Sequence, residues 1–398
     1  MSPEYREMTS VFGRIGLLSF GGPAAQIALM HRELVENRRW LTEESYLRAL
    51  SLCMLLPGPE AMQLATYAGW RLRGVPGGLL AGGLFVLPGA IVIAALVGLY
   101  SAFGDLPLIQ SVFLGVKAAV IAIVLQALLK LSAKAMGRKD AKPIAGVAFL
   151  AIFGLNLPFP LIILCAALWG YFTTQADSAP APPSAPIRSR PWRTLAIWLP
   201  LWLGPLAFLS LSHQTFLADI GWFFAWLAVV TFGGAYAVLA YLTQTVVDQY
   251  HWITTAQMID ALGLAETTPG PLILVTQFVA MLSGQLQGGP TLALAAGAVA
   301  LWATFVPCFL WIFLAAPYLE KLATLPRLSA GLQAISAAVV GVILNLSVWF
   351  AMHVLFLQIG SLTLGPLSVP WPDVTARSFT CKPTRRVHVA SLVNQLDS

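Results

Sequence analysis

Apolar residues run along this chain in blocks too long for a soluble core helix, and the same breaks punctuate those blocks twice. Stretches at 76–104, 106–130, 291–316 and 328–357 each exceed the about 20 residues a helix needs to cross a bilayer. Between them lie shorter apolar blocks interrupted by Gly and Pro. Phe20-Gly21-Gly22-Pro23 returns as Phe232-Gly233-Gly234-Ala235, Trp40-Leu41-Thr42 as Trp252-Ile253-Thr254, and Pro57-Gly58-Pro59 as Pro269-Gly270-Pro271, all at an offset of 212 residues. Further on the offset becomes 219: Pro88 pairs with Pro307, and Val116-Lys117-Ala118-Ala119-Val120 with Ile335-Ser336-Ala337-Ala338-Val339. Three landmarks sharing one spacing predict a duplicated unit. Helix breakers repeated inside apolar sequence predict interrupted helices that meet near the middle of a membrane.

The expected fold class is an all-α polytopic integral membrane protein of two inverted-topology homologous halves, with helices broken at the Gly-Gly-Pro and Pro-Gly-Pro motifs. An N-terminal repeat is expected over 1–172 and a C-terminal repeat over 213–372. A Pro-, Ala- and Ser-rich linker over 173–193 has too little apolar surface to order itself. One unpaired transmembrane helix follows over 194–212, and a polar tail over 373–398 is expected to be disordered. A single extra crossing between two copies turns the second upside down. The basic residues agree. Arg71, Arg73, Lys130, Lys134, Arg138, Lys139 and Lys142 fill first-half loops, with Arg188, Arg190 and Arg193 in the linker. Loops 243–255 and 284–290 hold no Lys or Arg, whereas Lys321 and Arg327 occupy the opposite turn. That sign change predicts inverted repeats and a cytoplasmic linker.

Around Pro57-Gly58-Pro59 each arm would rise about 16 Å as helix, half of a hydrocarbon core of about 30 Å. Segment 46–73 is then a re-entrant hairpin or one spanning helix broken at mid-depth; the charges of loop 31–45 lean to the hairpin. The first half closes with two short apolar segments, 143–157 and 158–172, and the second half has no such pair.

Composition removes other classes. Hydrophobic residues make up 58%, charged residues 10% and the mean hydropathy is +0.77, far from the about 25% charged of soluble domains. The first apolar segment carries Arg14 and belongs to the repeat, so no cleavable signal peptide is expected. The net charge of +6 sits in loops, without a nucleic-acid motif or a phosphate-binding loop for ATP. Cys53, Cys165, Cys308 and Cys381 are scattered as small hydrophobes. The five histidines have no ligand spacing. No enzyme activity, cofactor or metal is expected.

Chemistry is expected at the breaks. Pro59 lacks an N–H and pre-sets the first turn of the next helix, so the amides of residues 60–62 are left over. A helix N-terminus in low dielectric favours an anion. Gly21, Gly22 and Pro23 do the same for the next helix, and Gly233, Gly234, Pro269, Gly270 and Pro271 supply the second set, together with Pro57 and Gly58 in the first. The other reading is that these are packing kinks. Arm carbonyls at the same tips would suit a cation. Ionisable residues inside apolar segments are Arg14, Glu60, Lys117, Asp219 and Glu266. A mid-membrane charge costs about 2.5–3.5 kcal/mol on insertion scales and so tends to face a cavity or partner. Arg14 and Lys117 are candidate anion ligands, though either could snorkel. Glu60 and Glu266 are candidate proton-coupling groups, with helix capping as the alternative for Glu60. Among Ser19, Gln26, Gln63, Thr66, Thr231, Thr267, Thr268, Thr276 and Gln277, proximity to the breaks favours Gln63, Thr267 and Thr268 as donors.

The order Phe20-Gly21-Gly22-Pro23, Trp40-Leu41-Thr42, Leu56-Pro57-Gly58-Pro59, repeated in the second half, resembles the chromate ion transporter (CHR) superfamily in its long-chain, two-domain form, over about residues 9 to 357. The resemblance implies an inner-membrane chromate efflux protein with two oppositely oriented halves, and gives functional weight to Gly21, Gly22, Pro23, Pro57, Gly58, Pro59 and their second-half partners. The chain departs from the pattern at Ala235 and in its missing closing pair. Expected partners are chromate or a sulfate-like oxyanion and the lipid bilayer, with no nucleic acid; a homodimer is compatible with the sequence. A proton-coupled cation transporter is the alternative function.

Overall fold

The computed structural model describes residues 3–104, 106, 115, 125–126, 128–129, 132, 140–155, 157–173, 191–232, 235–318, 326–355, 359–364 and 367–372. Lys117, Gly233, Gly234, nearly all of the 173–193 linker and the 373–398 tail lie outside them.

The first helix, α1 (Tyr5–Leu18), buries Met8, Val11, Phe12 and Ile15, the i, i+3, i+4, i+7 stripe of a helix with one packed face. It stops at Ser19, and α2 (Gly22–His31) starts beyond Gly21, whose φ of 83° only glycine adopts without strain. Thus α2 begins at Gly22, inside the Gly-Gly-Pro break itself. It runs into a π-helical turn, Arg32–Asn37. Next come α3 (Glu43–Leu55) and α4 (Glu60–Phe103), separated by Pro57-Gly58-Pro59.

The first half is a set of hairpins. Arg38 is bonded to Glu7 at 2.5 Å, and Arg73 donates to the Pro3 carbonyl at 2.8 Å while lying over the Tyr5 ring. The start of α1, the loop after α2 and the middle of α4 therefore share one end of the molecule. So α1–α2 and α3 with the first arm of α4 each enter and return, which resolves segment 46–73 as the re-entrant hairpin. At Arg73 and Gly74 the backbone leaves helical geometry (φ −142°, ψ 26°; φ 64°, ψ −158°). The second arm of α4 folds back there, so that Gly69 meets Gly77 and Gly78 lies against Thr66. Such small-residue contacts let backbones approach closely enough for dispersion to hold helices together in lipid.

The second half repeats the design. Helices α8 (Thr215–Val230) and α9 (Ala235–Thr243) lead to a π turn, Gln244–Gln249. Then come α10 (Thr255–Thr267), a 3-10 turn Leu272–Leu274 and α11 (Val275–Ala315). Helix α11 folds back at Gly288 and Gly289 (φ −154°, ψ 15°; φ 79°, ψ −166°), with Gly284 against Ala293. The correspondence reaches single bonds: Trp40 N to Leu34 O at 2.8 Å is matched by Trp252 N to Val246 O at 2.9 Å.

The halves are inverted. The second arms of α4 and α11 run antiparallel, Gly78 against Phe313 and Gly82 against Phe309. The Gly74 fold therefore lies at the Phe313 end and the Gly289 fold at the other. The unpaired helix α7 (Pro191–Leu211) spans that distance, with Trp198 beside Phe313, Trp202 bonded to Ala303 O and Leu206 against Gly221. Helices α5 (Ala141–Phe153) and α6 (Phe159–Thr173) form a short hairpin that packs on α12 (Pro326–Leu355). Gly341 meets Ala145, and Gly170 meets Ala330. After α12 comes a small antiparallel ribbon, β1 (Ile359–Leu364) and β2 (Leu367–Pro372), where a second short helical pair would have stood. Among the described residues, which leave out most of the 106–130 stretch, four segments are long and apolar enough to cross a membrane: Glu60–Phe103, Pro191–Leu211, Leu272–Tyr318 and Ser329–Trp349.

Candidate functional site

The hairpin tips of one half touch the tips of the other. Gly58 N–H donates to Thr231 O at 2.8 Å, and Gly270 N–H donates to Ser19 O at 3.0 Å. Gly58 and Gly270 are equivalent positions, as are Ser19 and Thr231, so this is one contact made twice. Gly58 has φ 120° and Gly270 φ 94°, left-handed geometry that explains glycine at both. Ser19 and Thr231 each turn the hydroxyl back onto the preceding helix, to Ile15 O and Leu227 O. Their carbonyls are thereby left to the opposite tip.

Glutamine amides brace the tips. Gln26 Nε2 donates to Gly270 O at 2.7 Å and to Ser19 O at 3.2 Å. Gln63 Nε2 donates to Pro57 O at 2.6 Å, and Gln277 Nε2 to Ala90 O at 2.9 Å. The amide oxygens of all three are buried with no hydrogen-bond partner among the described residues. Unsatisfied acceptors at this depth are costly and call for water or a donor-bearing ligand. A helix from each half presses on the opposite Pro-Gly-Pro. A Cβ on Gly89 would run into Pro269 O and Leu274, and one on Gly58 would lie 2.9 Å from both Cys308 Sγ and Gln63 Nε2. Gly89 and Cys308 follow Pro88 and Pro307, the pair whose offset marks the repeat.

The sequence-predicted residues fall into groups. Gly21, Gly22, Pro23, Pro57, Gly58, Pro59, Gln63, Pro269, Gly270 and Pro271 belong to the tips or the turns beside them. The first-turn amides of α4 have no partner within their own helix, while those of Gly58 and Gly270 are taken by the opposite tip. Thr267 donates to Gly263 O and Leu264 O, and Thr268 to Ala265 O. Their hydroxyl protons are thus committed to their own helix, which leaves each only lone pairs to offer. Glu60 opens α4 and Glu266 lies one turn before Pro269; both are half-buried. Arg14 stands apart from the tips. It lines a recess of 440 Å³ with Glu7, Glu33, Asn37, Arg38 and Trp40. Asp219 is exposed.

Sequence reasoning missed Gly89 and Cys308 as tip neighbours, although the Pro88 and Pro307 pairing pointed one residue short of them. It also read the charges of loop 31–45 as an orientation signal alone, and so missed the recess.

Two inverted repeats whose broken helices meet tip to tip inside an apolar bundle define a multi-pass membrane protein of the broken-helix, inverted-repeat class. The chain belongs to the chromate transporter family, whose profile matches residues 6–171 and 218–376. It is 35% identical over 345 residues to the chromate transport protein of Cupriavidus metallidurans, covering 86% of this chain and 82% of that one. It is 31% identical over 340 residues to the probable chromate transport protein of Synechococcus elongatus (85% and 82% covered). With the chromate transport protein of Pseudomonas aeruginosa it shares 32% over 354 residues (85% and 79% covered). No solved structure matches the chain.

Proposed function

We propose that this protein is a secondary transporter, not an enzyme, that moves chromate or a related tetrahedral oxyanion such as sulfate out of the cytoplasm across the bacterial inner membrane and so confers chromate resistance. The observation that carries this reading is the reciprocal tip contact, Gly58 to Thr231 and Gly270 to Ser19. Each contact sets the approach to a broken helix of one half, α4 or α11, against the C-terminal end of a helix of the other, α8 or α1. Both α4 and α11 therefore begin beside the tips, where a helix N-terminus favours an anion. The family of the relatives supports the choice of substrate. Gly21, Gly22, Pro23, Pro57, Gly58, Pro59 and Gln63 form the first-half side of the binding region; Gly233, Gly234, Thr267, Thr268, Pro269, Gly270 and Pro271 form the second. Lys117 adds positive charge, and Glu60 and Glu266 are candidates for proton coupling. The basic loops put residues 173–193 and the Arg73 end in the cytoplasm.

Membrane potential supplies the drive. With the inside negative, moving a dianion outward gains about 4.6 kcal/mol per 100 mV, from about 2.3 per charge, enough for a gradient of about a thousandfold. Rocking of the inverted repeats alternates access. Purified protein in liposomes should accumulate labelled chromate when the lumen is positive, and competition by sulfate measures selectivity. Flux indifferent to potential would remove the electrogenic mechanism.

One observation favours a second reading. The partnerless oxygens of Gln26, Gln63 and Gln277 are acceptors, and acceptors suit a cation or a protonated ligand. A proton-coupled cation carrier predicts loss of flux in Glu60→Gln or Glu266→Gln and cation-dependent currents without oxyanion. An anion carrier keeps its chromate requirement.

A further inference from the structure

The recess between α1 and the π turn is a different place from the tips, and its lining is the more suggestive of the two. Arg38 is fixed: one nitrogen is bonded to Glu7 at 2.5 Å, and its guanidinium lies 5.6 Å from the Trp40 ring centre. Arg14 is exposed to the recess and has no hydrogen bond or ion pair with any described residue. Glu33 is only 8% exposed and takes one hydrogen bond, from Asn37 at 3.3 Å. Along α1, Arg14 lies about 10 Å deeper than Glu7 and one turn before Ser19, whose carbonyl meets Gly270. The recess thus leads from the Arg73 end of the molecule toward the tip contact.

The second half has the same backbone here, with a π turn over Gln244–Gln249 and His251 at φ 51° where Arg39 has φ 54°. Its lining keeps the ring of Trp40 as Trp252 and the acid of Glu7 as Asp219, and differs at the other positions. Trp226, Thr245, Gln249, Tyr250 and Trp252 stand where Arg14, Glu33, Asn37, Arg38 and Trp40 stand in the first half. Tyr250 stacks on Trp252 at 4.3 Å, with Phe223 against both. The counterpart therefore has no cation and is filled by rings. Drift at a surface would not be expected to keep the turn twice yet collect two arginines on one side only.

We propose that this recess is a capture site for a tetrahedral dianion, distinct from the tips, with Arg14 as its direct ligand and Arg38 held as second cation by Glu7 and Trp40. The proposal rests on the anion-transport reading. Glu33 acts as a built-in competitor: its carboxylate shares the recess with the two guanidiniums, keeps them solvated together when the site is empty, and weakens the hold enough for the anion to move on. A guanidinium offers a fork of donors suited to oxyanion edges, which an ammonium does not.

Equilibrium binding of labelled chromate, and separately of labelled sulfate, to the full-length protein in nanodiscs tests the site. Arg14→Ala should weaken binding about ten- to hundredfold, the scale of a lost charge-assisted contact. Arg14→Lys should recover only part of that loss. Glu33→Gln should tighten binding and slow turnover. Arg14 is exposed, so its variants should melt with the wild type. Unchanged affinity in Arg14→Ala alongside wild-type chromate flux would overturn the recess and leave the transport reading standing. Absence of chromate flux in the wild type would remove both, and weaker binding in Glu33→Gln would remove the competitor role.

Discussion

The two halves share a backbone to the level of single bonds and differ in what they put on it. Both tips are closed by an amide given to the opposite half, both loops carry a π turn, and both long helices fold back at a residue pair ending in a left-handed glycine. The side chains around these features were free to diverge. Gln26 and Gln63 brace tips from the first half, where the second half has Val238 and Val275. Charges line the first-half recess, and rings fill the second. There burial, then Asp219 and Tyr241, raise the pKa of Tyr250. Duplication fixes where a site can form, and divergence decides which copy of it binds.

The inversion itself carries the largest effect, because it is all or nothing. Val75 and Leu286 are exposed beside the two folds. Single cysteines there, in a protein freed of its own, should react with an impermeant maleimide from opposite faces of sealed vesicles. Labelling of both from one face would break the comparison outright.

The helix contacts on the tips come next. A side chain at Gly89 would strike the Pro269 backbone, which cannot step aside. Gly89→Val should abolish flux and cost at least about 1–3 kcal/mol in detergent unfolding, as overpacking does. Its counterpart Cys308 fills its place and donates from sulfur to Thr304 O. Cys308→Gly, which makes the two halves alike, should fold at a cost of about 1–3 kcal/mol for the lost side chain and cavity. Gly83 has nothing within 4 Å of an added Cβ, so Gly83→Ala should stay within about 0.5 kcal/mol of the wild type.

These contacts mark how far the sequence could be read. Repeated breakers at fixed offsets were enough for the duplicated halves and their broken helices, because a backbone that must turn inside lipid leaves few residue choices, and the sign change of the basic loops pointed to the inversion. The fold-back at Gly74 was harder to see: Arg73-Gly74-Val75-Pro76 sits in an apolar run that reads as straight helix, and only the contact of Gly69 with Gly77 reveals the turn. The recess was hidden for another reason. Arg14, Glu33 and Arg38 come together through the return of α2 and its π turn, and neither leaves a periodic signature. Thr267 and Thr268 show a further limit, since closeness in sequence to a break did not say which way their hydroxyls would donate.

Gln26 gives a smaller effect with a clear sign. Gln26→Val converts the position to its second-half counterpart and takes the donor from Gly270 O, buried at the tip. A cost of about 1–3 kcal/mol is expected for the stranded carbonyl, read as a lower midpoint in detergent melting. Val238 has no side-chain donor to lose, so Val238→Gln strands no tip carbonyl and should not lower the midpoint in that way. Equal effects of the two substitutions would mean that the brace is incidental.

The caps give the finest measure of divergence between the halves. Thr42 and Thr254 are equivalent N-caps, opening α3 and α10. Thr42 accepts only from Ser45 N at 3.3 Å, because Ser45 is too short to reach back. Thr254 accepts from Gln257 N at 3.3 Å, and the Gln257 side chain returns to Thr254 N at 2.8 Å, closing a reciprocal box. Removing the hydroxyl costs about 1 kcal/mol at a typical N-cap. Thr254→Ala should exceed Thr42→Ala by a few tenths of that, since Gln257 loses its register when its partner goes, and Gln257→Ala should recover the same difference. Flux should be unchanged in all three, because neither cap touches a tip or the recess. Equal costs for Thr42→Ala and Thr254→Ala would mean that the second copy gained nothing from its glutamine.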